Sequence, residues 1–141
     1  MIAVKTAGDA LREQAFALRH RVFVEEQKVP EAAEFDWLDE TAEHLVAVEG
    51  GHVVGTCRLV VDRQQMILQR VAVDRAQRGR GIGTMLVAEA ESRARGAGVQ
   101  RIDMHAQVHA VGIYEAAGFV AQGEPFDEDG IQHIAMTLKI A

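Results

Sequence analysis

The sequence predicts an α/β fold with a mixed, mostly antiparallel sheet of about six or seven strands and helices on both faces. Two observations support this class. Strand-like and helix-like periods alternate along the chain, and turn signals between strand patterns favour antiparallel pairing. In addition, 141 residues with 48% apolar content suffice for one well-buried core but not for two ordinary ones, so we expect a single domain over residues 1–141.

The N-terminal part predicts an edge strand and then a helix. Ile2–Lys5 has strand character, and Asp9 is placed to cap the helix that follows. One apolar stripe at helical spacing comprises Leu11, Ala15, Leu18 and Val22. The helix reaches Val24 or just beyond, because Pro30 breaks any helix at or before Val29.

The next segment, residues 24–43, is strongly acidic. It holds eight carboxylates against Lys28 alone, a net charge of −7 in a chain of net charge −6. The eight are Glu25, Glu26, Glu31, Glu34, Asp36, Asp39, Glu40 and Glu43. Two interpretations stay open: a solvated face, or an acidic rim that concentrates a cationic acceptor by electrostatic steering.

Two strand patterns, His44–Glu49 and His52–Val61, are joined by Gly50–Gly51, which is a hairpin signal. Cys57 is predicted to be a small core residue, because no nearby histidine or basic pair would activate its thiol. As the single cysteine, it excludes an intramolecular disulfide and a cysteine-based metal cluster. For His44, a structural role and a place in a pocket both stay open.

The central stretch predicts a strand that leads through a loop into a helix. Met66–Val73 suits a buried strand, whereas the apolar residues that follow the loop recur at helical spacing. These are Ile82, Met85, Leu86, Ala90 and Ala94. The period changes within the glycines Gly79, Gly81 and Gly83, where the backbone can approach a ligand and the first helical N–H groups lack partners. An anion, most naturally a phosphate, fits such a loop.

The local charge supports an anion site. Residues 70–83 contain four arginines against one aspartate, a net charge of +3 in an acidic chain. The arginines are Arg70, Arg75, Arg78 and Arg80. A P-loop is excluded, because no lysine lies between Lys28 and Lys139, and a dinucleotide fingerprint fails because Thr84 stands where its third glycine belongs.

Arg78–Gly83, with the sequence Arg-Gly-Arg-Gly-Ile-Gly, fits the pattern Q/R-x-x-G-x-G/A. In this loop the chain resembles the GNAT superfamily of acyl-CoA N-acyltransferases, which hold the CoA pyrophosphate there. The resemblance implies that two parallel strands splay apart at their carboxyl ends, that pantetheine enters the gap, and that Val71 and Val73 offer backbone groups to its amides. The CoA-binding residues so predicted are Val71, Ala72, Val73, Arg78, Gly79, Arg80, Gly81, Ile82, Gly83, Thr84 and Tyr114.

After Gly96–Gly98, which ends the helix, residues 102–106 alternate as a strand that should run parallel to the earlier one. His109–Phe119 predicts a short helix closed by Gly118, and it resembles the AxxxYxxxGF stretch of the same superfamily. That match implies that Tyr114 is the general acid that protonates the departing CoA thiolate, a task for which a phenol is chemically suited. Gln107 departs from the superfamily, in which many members have asparagine.

A second resemblance concerns the acceptor side. Arg21–Gln27, followed by Val29 and Pro30, is similar to the VFxxEQ-type segment of a small bacterial branch of the superfamily, where the segment faces the acceptor pocket. The resemblance implies that Glu26 contacts the acceptor or acts as its general base. A surface carboxylate is the alternative.

The C-terminal part predicts a loop or hairpin turn over Gly123–Gly130 and then a strand with one buried face. Asp129–His133 also has counterparts in the same branch, so His133 either faces the acceptor or is a structural residue. Neither His105 nor His109 has the spacing of a metal ligand pair, and no metal site is predicted.

We therefore expect an N-acetyltransferase that passes the acetyl group of acetyl-CoA directly to a primary amine of a small molecule. The alternative is a non-catalytic CoA- or dinucleotide-binding regulatory module, while a purely structural domain would leave both motifs unexplained. No apolar run approaches ~20 residues and no secretory signal is present, so we expect a cytoplasmic protein without a membrane span. The net charge of −6 argues against nucleic-acid binding, and the oligomeric state stays open, a homodimer included.

Overall fold

The computed structural model describes the whole chain, residues 1–141, and shows one sheet. Its seven strands are β1 (Ala3–Thr6), β2 (Glu43–Glu49), β3 (His52–Asp62), β4 (Gln65–Val73), β5 (Arg101–Gln107), β6 (Val120–Glu128) and β7 (Ile131–Lys139). They are ordered β1-β2-β3-β4-β5-β7-β6, and only β4 and β5 pair in parallel. The prediction of a mixed, mostly antiparallel sheet with β1 at its edge is confirmed.

Four α-helices accompany the sheet: α1 (Asp9–Arg19), α2 (Glu31–Glu34), α3 (Ile82–Ala97) and α4 (Val111–Ala116). The end of α1 continues directly as a π-helical stretch, His20–Glu26, which stops before Pro30 as predicted. Its start differs from the prediction, because Gly8 is the N-cap and no side chain makes a capping hydrogen bond. Asp9 is instead the first helical residue, where its charge still favours the positive end of the helix dipole. None of the helices is long and apolar enough to cross a membrane.

The two faces of the sheet bury separate cores. On one face, α3 packs Leu86 and Ala90 into the larger core together with residues of β2 to β5 and β7. On the opposite face, Leu18 of α1 lies in a smaller core with Val46 and Ala72. The helices therefore lie on both faces, as predicted. On that face, α1 packs mainly on β2, β3 and β4.

The parallel strands separate soon after they pair. Only Gln65–Ile67 of β4 is in register with Arg101–Asp103 of β5, and the remaining residues of both strands diverge. From Leu68 to its end at Val73, β4 is paired on one side alone, with β3. This is the splayed pair that the resemblance implies.

A bulge in β4 lies at the point of separation. Cys57 of β3 faces two residues, Arg70 and Val71, and Arg70 has a left-handed φ of +57°. Before the bulge, Met66 and Leu68 point into the larger core; after it, Ala72 points into the smaller one. The bulge therefore reverses the faces to which successive side chains of β4 point.

The hairpin of β6 and β7 corrects one prediction. Val120–Glu128 is strand, not loop, and the turn consists of Asp129 and Gly130 alone, with φ values of +53° and +81°. The register shifts between Gln122 and Phe126 accommodate the glycine and proline of this stretch within the strand. As a result, Phe126 and Glu128 lie on the sheet.

Candidate active site

A cavity of about 760 Å³ lies where β4 and β5 separate. Its walls come from both of these strands, from β6 and β7, and from residues that follow α1. Two predicted site residues line it, Val71 near the end of β4 and Tyr114 of α4. A concave, part-apolar space of this size suits a small-molecule reaction site.

The glycine loop lies beyond the end of β4 and leads into α3. Gly79 and Gly81 have φ values of +84° and +79°, and a β-carbon at either would meet no atom within 4 Å. The loop is therefore open to a ligand from outside. Ile82, Gly83 and Thr84 form the first turn of α3, where N–H groups have no acceptor within the helix. This open cradle of N–H groups fits the pyrophosphate of CoA.

The two arginines of the loop are engaged by carboxylates of the same chain. Arg78 makes a bidentate pair with Glu26, at 2.6 and 3.0 Å, and its Nε donates to the carbonyl oxygen of Val73 at 3.2 Å. Arg80 pairs with Glu49 at 2.9 and 2.7 Å. All four side chains are partly exposed, so an arriving anion can exchange for the carboxylates in solvent.

Glu26, the predicted acceptor contact or base, is not part of the cavity wall. The hydrogen bond from Arg78 holds the pKa of its carboxyl below the usual range and outweighs the slight opposing effect of burial. A carboxylate that is held and acidified in this way is a poor proton acceptor near neutral pH. The role of Glu26 as a base remains a prediction, but this geometry argues against it.

The neighbouring Gln27 connects the π-helical stretch to β5. Its side-chain amide exchanges two hydrogen bonds with the amide of Gln107, at 3.2 and 2.8 Å. Gln107 is the residue that departs from the superfamily pattern, and here its partner is within the chain. This pair of amides joins the end of the π-helical stretch to the end of β5, one of the two strands that separate.

Much of the acidic segment is neutralised inside the protein. Six residues, which we call the arginine network, meet beneath α1: Arg19, Arg58, Arg70, Glu34, Asp36 and Asp39. Arg19 contacts Glu34 and Asp39 at 2.7 Å each. Arg58 contacts Asp36 at 2.7 Å and Asp39 at 3.0 Å. Neither a solvated face nor an acidic rim describes these three carboxylates.

Arg70 belongs to this network and not to the anion loop, which corrects the charge count made from sequence. The bulge turns its side chain toward α2, where Arg70 contacts the carboxylate of Glu34 at 3.1 Å and donates to backbone carbonyl oxygens of Ala33 and Glu34 at 3.2 Å. For Asp39, burial would raise the pKa, but the hydrogen bonds and charges of Arg19 and Arg58 prevail and lower it.

Tyr114 of α4, the predicted general acid, lies in the wall of the cavity. Its side chain is buried, its ring packs edge-on against Phe119, and no hydrogen bond to the rest of the chain acts on its hydroxyl. Burial, with a smaller effect of Cys57, raises the pKa of the phenol well above its usual value, so the hydroxyl keeps its proton throughout the physiological range. Burial likewise raises the pKa of Cys57 to about 12, which leaves the thiol unreactive, as expected of a core residue.

The cavity is also lined by three residues that we call the acceptor cluster: His105 of β5, Glu128 of β6 and His133 of β7. The carboxylate of Glu128 lies between the two rings, 2.9 Å from Nδ1 of His105 and 3.6 Å from Nε2 of His133. Phe126 packs edge-on against His105 and stacks on His133, with centroids 5.0 and 6.1 Å apart. From the sequence, two roles stayed open for His133, one facing the acceptor and one structural, and Glu128 was predicted to lie in a loop or turn.

Two other histidines considered from the sequence, His44 and His109, lie outside this cluster. His44 is buried, and its Nε2 lies 2.9 Å from the backbone carbonyl oxygen of Asp39. Because a carbonyl oxygen can only accept a hydrogen bond, Nε2 is the donor. Burial lowers the pKa of His44, so the ring is neutral and structural. His109 is exposed and does not line the cavity.

The fold and the glycine loop agree with the result of comparison with known families. A model of the GNAT acetyltransferase domain matches residues 7–140. The chain belongs to the GNAT acetyltransferase family. It is therefore one of the acyltransferases that use acyl-CoA, and its splayed parallel strands agree with this family.

Individual relatives agree with that assignment. The uncharacterized N-acetyltransferase YjcF of Bacillus subtilis is 32% identical over 137 residues, 96% of this chain and 98% of YjcF. The crystal structure of an acyl-CoA N-acyltransferase from Pseudomonas aeruginosa is 34% identical in sequence, with a TM-score of 0.83 and 97% of each chain covered. Escherichia coli ElaA has a TM-score of 0.87 at 25% identity, over 97% of this chain and 99% of ElaA.

Proposed function

We propose that this GNAT protein transfers the acetyl group of acetyl-CoA directly to a primary amine of a small molecule. The observation that carries the proposal is Tyr114, whose hydroxyl has no hydrogen-bond partner in the chain and which lines the cavity at the separation of β4 and β5. An acid without a structural hydrogen bond at that place is available to a leaving group.

The chain's own groups suffice to hold the co-substrate. The open loop at Gly79 and Gly81 and the first N–H groups of α3 receive the pyrophosphate, while Arg78 and Arg80 exchange their carboxylate partners for it. The half-paired end of β4 offers backbone groups to pantetheine, as predicted for Val71 and Val73. The carbonyl of Val73 already accepts a hydrogen bond from Arg78, so that arginine has to move for Val73 to take part.

In the transfer, the nitrogen of the amine bonds to the acetyl carbon as the carbon–sulfur bond breaks. Tyr114 gives its proton to the sulfur, and the phenolate recovers a proton released by the acylated nitrogen. The raised pKa of Tyr114 would make this step unfavourable against a thiolate in water. In the same buried cavity, however, the thiolate also loses solvation and becomes more basic, which restores the match.

The proposal is tested in two stages. Acetyl-CoA should raise the melting temperature by mass action, while NAD and ATP should not. A thiol-release assay across polyamines, amino sugars, aminoglycosides, amino acids and protein N-termini then looks for turnover. Stabilisation by acetyl-CoA without turnover on any amine would favour the regulatory alternative, and equal stabilisation by NAD would argue against CoA as the ligand.

A further inference from the structure

We propose that the acceptor cluster binds the acceptor as an ammonium cation between Glu128 and Nε2 of His133, and that His133 takes the proton that the amine must lose. The inference rests on the proposed function and deepens it. It assigns the acceptor to a chemical class: primary amines that enter as cations and carry no carboxylate beside the amine. It also assigns the general base to β7 and not to the π-helical stretch.

The hydrogen positions in the cluster follow from its geometry. Nδ1 of His133 lies 2.8 Å from the carbonyl oxygen of Ile131, which can only accept, so Nδ1 carries a hydrogen. In the neutral ring, Nε2 is then a bare acceptor. It faces Oε2 of Glu128 at 3.6 Å, a separation too long for a hydrogen bond. In that state Nε2 and Oε2 are two acceptors that face the same space, and an ammonium group can donate an N–H to each of them.

The other contacts hold the two acceptors in place. Nδ1 of His105 lies 2.9 Å from Oε1 of Glu128, which leaves Oε2 for another donor. Stacking on Phe126 and the hydrogen bond to Ile131 fix the ring of His133, whose side chain is only 9% exposed. Glu128 is 40% exposed, so a proton received there can leave to solvent.

The charge of the cavity wall favours a cation. Besides the cluster, its charged side chains are Glu34, Arg70, Asp103 and Asp129. Arg70 is already paired with Glu34 and Asp36 in the arginine network. Asp103 is likewise paired, with Arg101 at 2.8 Å, so Glu128 and Asp129 are the wall carboxylates without an arginine partner. Their charge attracts ammonium and repels a substrate carboxylate.

The proton balance is simple. The N–H bond of the ammonium breaks, a new N–H bond forms at Nε2 of His133, and the amine keeps the electron pair with which it attacks the acetyl carbon. The imidazolium is stabilised by Glu128 and releases the proton through that carboxylate to water. Imidazole suits this step because it is the side chain that exchanges protons most readily near neutral pH.

Two variants test the cluster with acetyl-CoA and the best acceptor. Glu128→Gln should raise KM for the acceptor at least about tenfold, because the ammonium loses a charged partner. His133→Asn keeps a donor for Ile131 but has no Nε2, so kcat/KM should fall about 10²-fold near pH 7. The loss should shrink near pH ~9, where more of the amine is already neutral. Binding of acetyl-CoA should be unchanged in both, and Glu124→Gln and His52→Asn serve as exposed matched controls.

A substrate pair tests the assigned class without any variant. The amide of an amino acid should be acetylated at least about tenfold more efficiently than the free amino acid, and Glu128→Gln should reduce that preference. No turnover on any amine would overturn the proposed function and this inference together. Turnover with KM within about twofold in Glu128→Gln, an unshifted pH profile in His133→Asn, or no preference for the amide would overturn this inference alone. Should His133→Asn fail to fold, Glu128→Gln and the substrate pair still decide.

Discussion

The arginine network and the acceptor cluster lie on the same face of the sheet, and both contain carboxylates, but different groups neutralise them. In the network, the guanidinium groups of Arg19 and Arg58 are buried and directly paired. In the cluster, Glu128 meets only histidines and opens into a cavity. A carboxylate paired with a permanently charged arginine stabilises the fold. A carboxylate paired with histidines, which gain and lose protons, can take part in a reaction.

The largest effect should come from breaking the network. Arg58→Met removes a fully buried cation and leaves Asp36 and Asp39 without part of their compensation, so the free energy of unfolding should fall by about 3–5 kcal/mol. Chemical denaturation measures this loss. Glu128→Gln, in the partly exposed cluster, should change it by less than about 1 kcal/mol. Equal losses in the two variants would contradict the contrast between the two regions.

The second-largest effect should come from removing the hydroxyl of Tyr114, the proposed general acid. Tyr114→Phe keeps the ring against Phe119 and removes only the hydroxyl, so kcat should fall by about 10²-fold while the affinity for acetyl-CoA stays nearly constant. Steady-state kinetics and a binding titration measure the two quantities. A rate within about threefold of the parent, with chemistry rate-limiting, would mean that water protonates the thiolate.

A third effect concerns the anion cradle. Gly81→Val forces a branched side chain into a backbone with φ +79° and into the space for the pyrophosphate, so acetyl-CoA should bind at least about tenfold more weakly. Gly96→Ala is the matched control, because Gly96 lies within α3 with room for a β-carbon. That control should leave the affinity unchanged and stabilise the helix by up to ~1 kcal/mol. Unchanged affinity in Gly81→Val would count against the cradle.

The smallest effect should follow the removal of Glu26. Glu26→Gln frees Arg78 from its ion pair, so the affinity for acetyl-CoA should rise by about fivefold or less, and more at low salt. The rate on the best acceptor and its pH profile should not change. A large loss of rate at neutral pH, recovered at high pH, would restore Glu26 as the general base.

The strand, the glycine loop and the helix on the proposed cofactor side could be predicted because their signals are local. The change of period between Met66–Val73 and α3 and the glycines between them fall within one short stretch, so the sequence alone locates the cradle. The role proposed for Tyr114 rests on a second short match. Both depend on neighbours along the chain and little on distant packing.

The acceptor side could not be predicted in the same way. Arg19 and Arg58 pair with carboxylates that lie 15 to 22 residues away in the sequence. The charges alone do not indicate which arginines and carboxylates will be buried together. Glu128 was predicted to lie in a loop because Gly123 and Pro125 are typical of turns. In the structure both residues lie at a bulge within β6, and Glu128 is part of that strand. The one usable signal was an arginine within an apolar strand, as at Arg58, which requires a buried partner.

The bulge at Arg70 also means that β4 contains two alternation phases joined at one residue. Up to Leu68 the even-numbered side chains belong to the core beneath α3; from Val71 onward the odd-numbered ones pack there instead. Removing a single residue at this junction would turn the side chains of the segment that leads into the glycine loop to the opposite faces of the sheet. The geometry of the loop depends on an irregularity several residues before it.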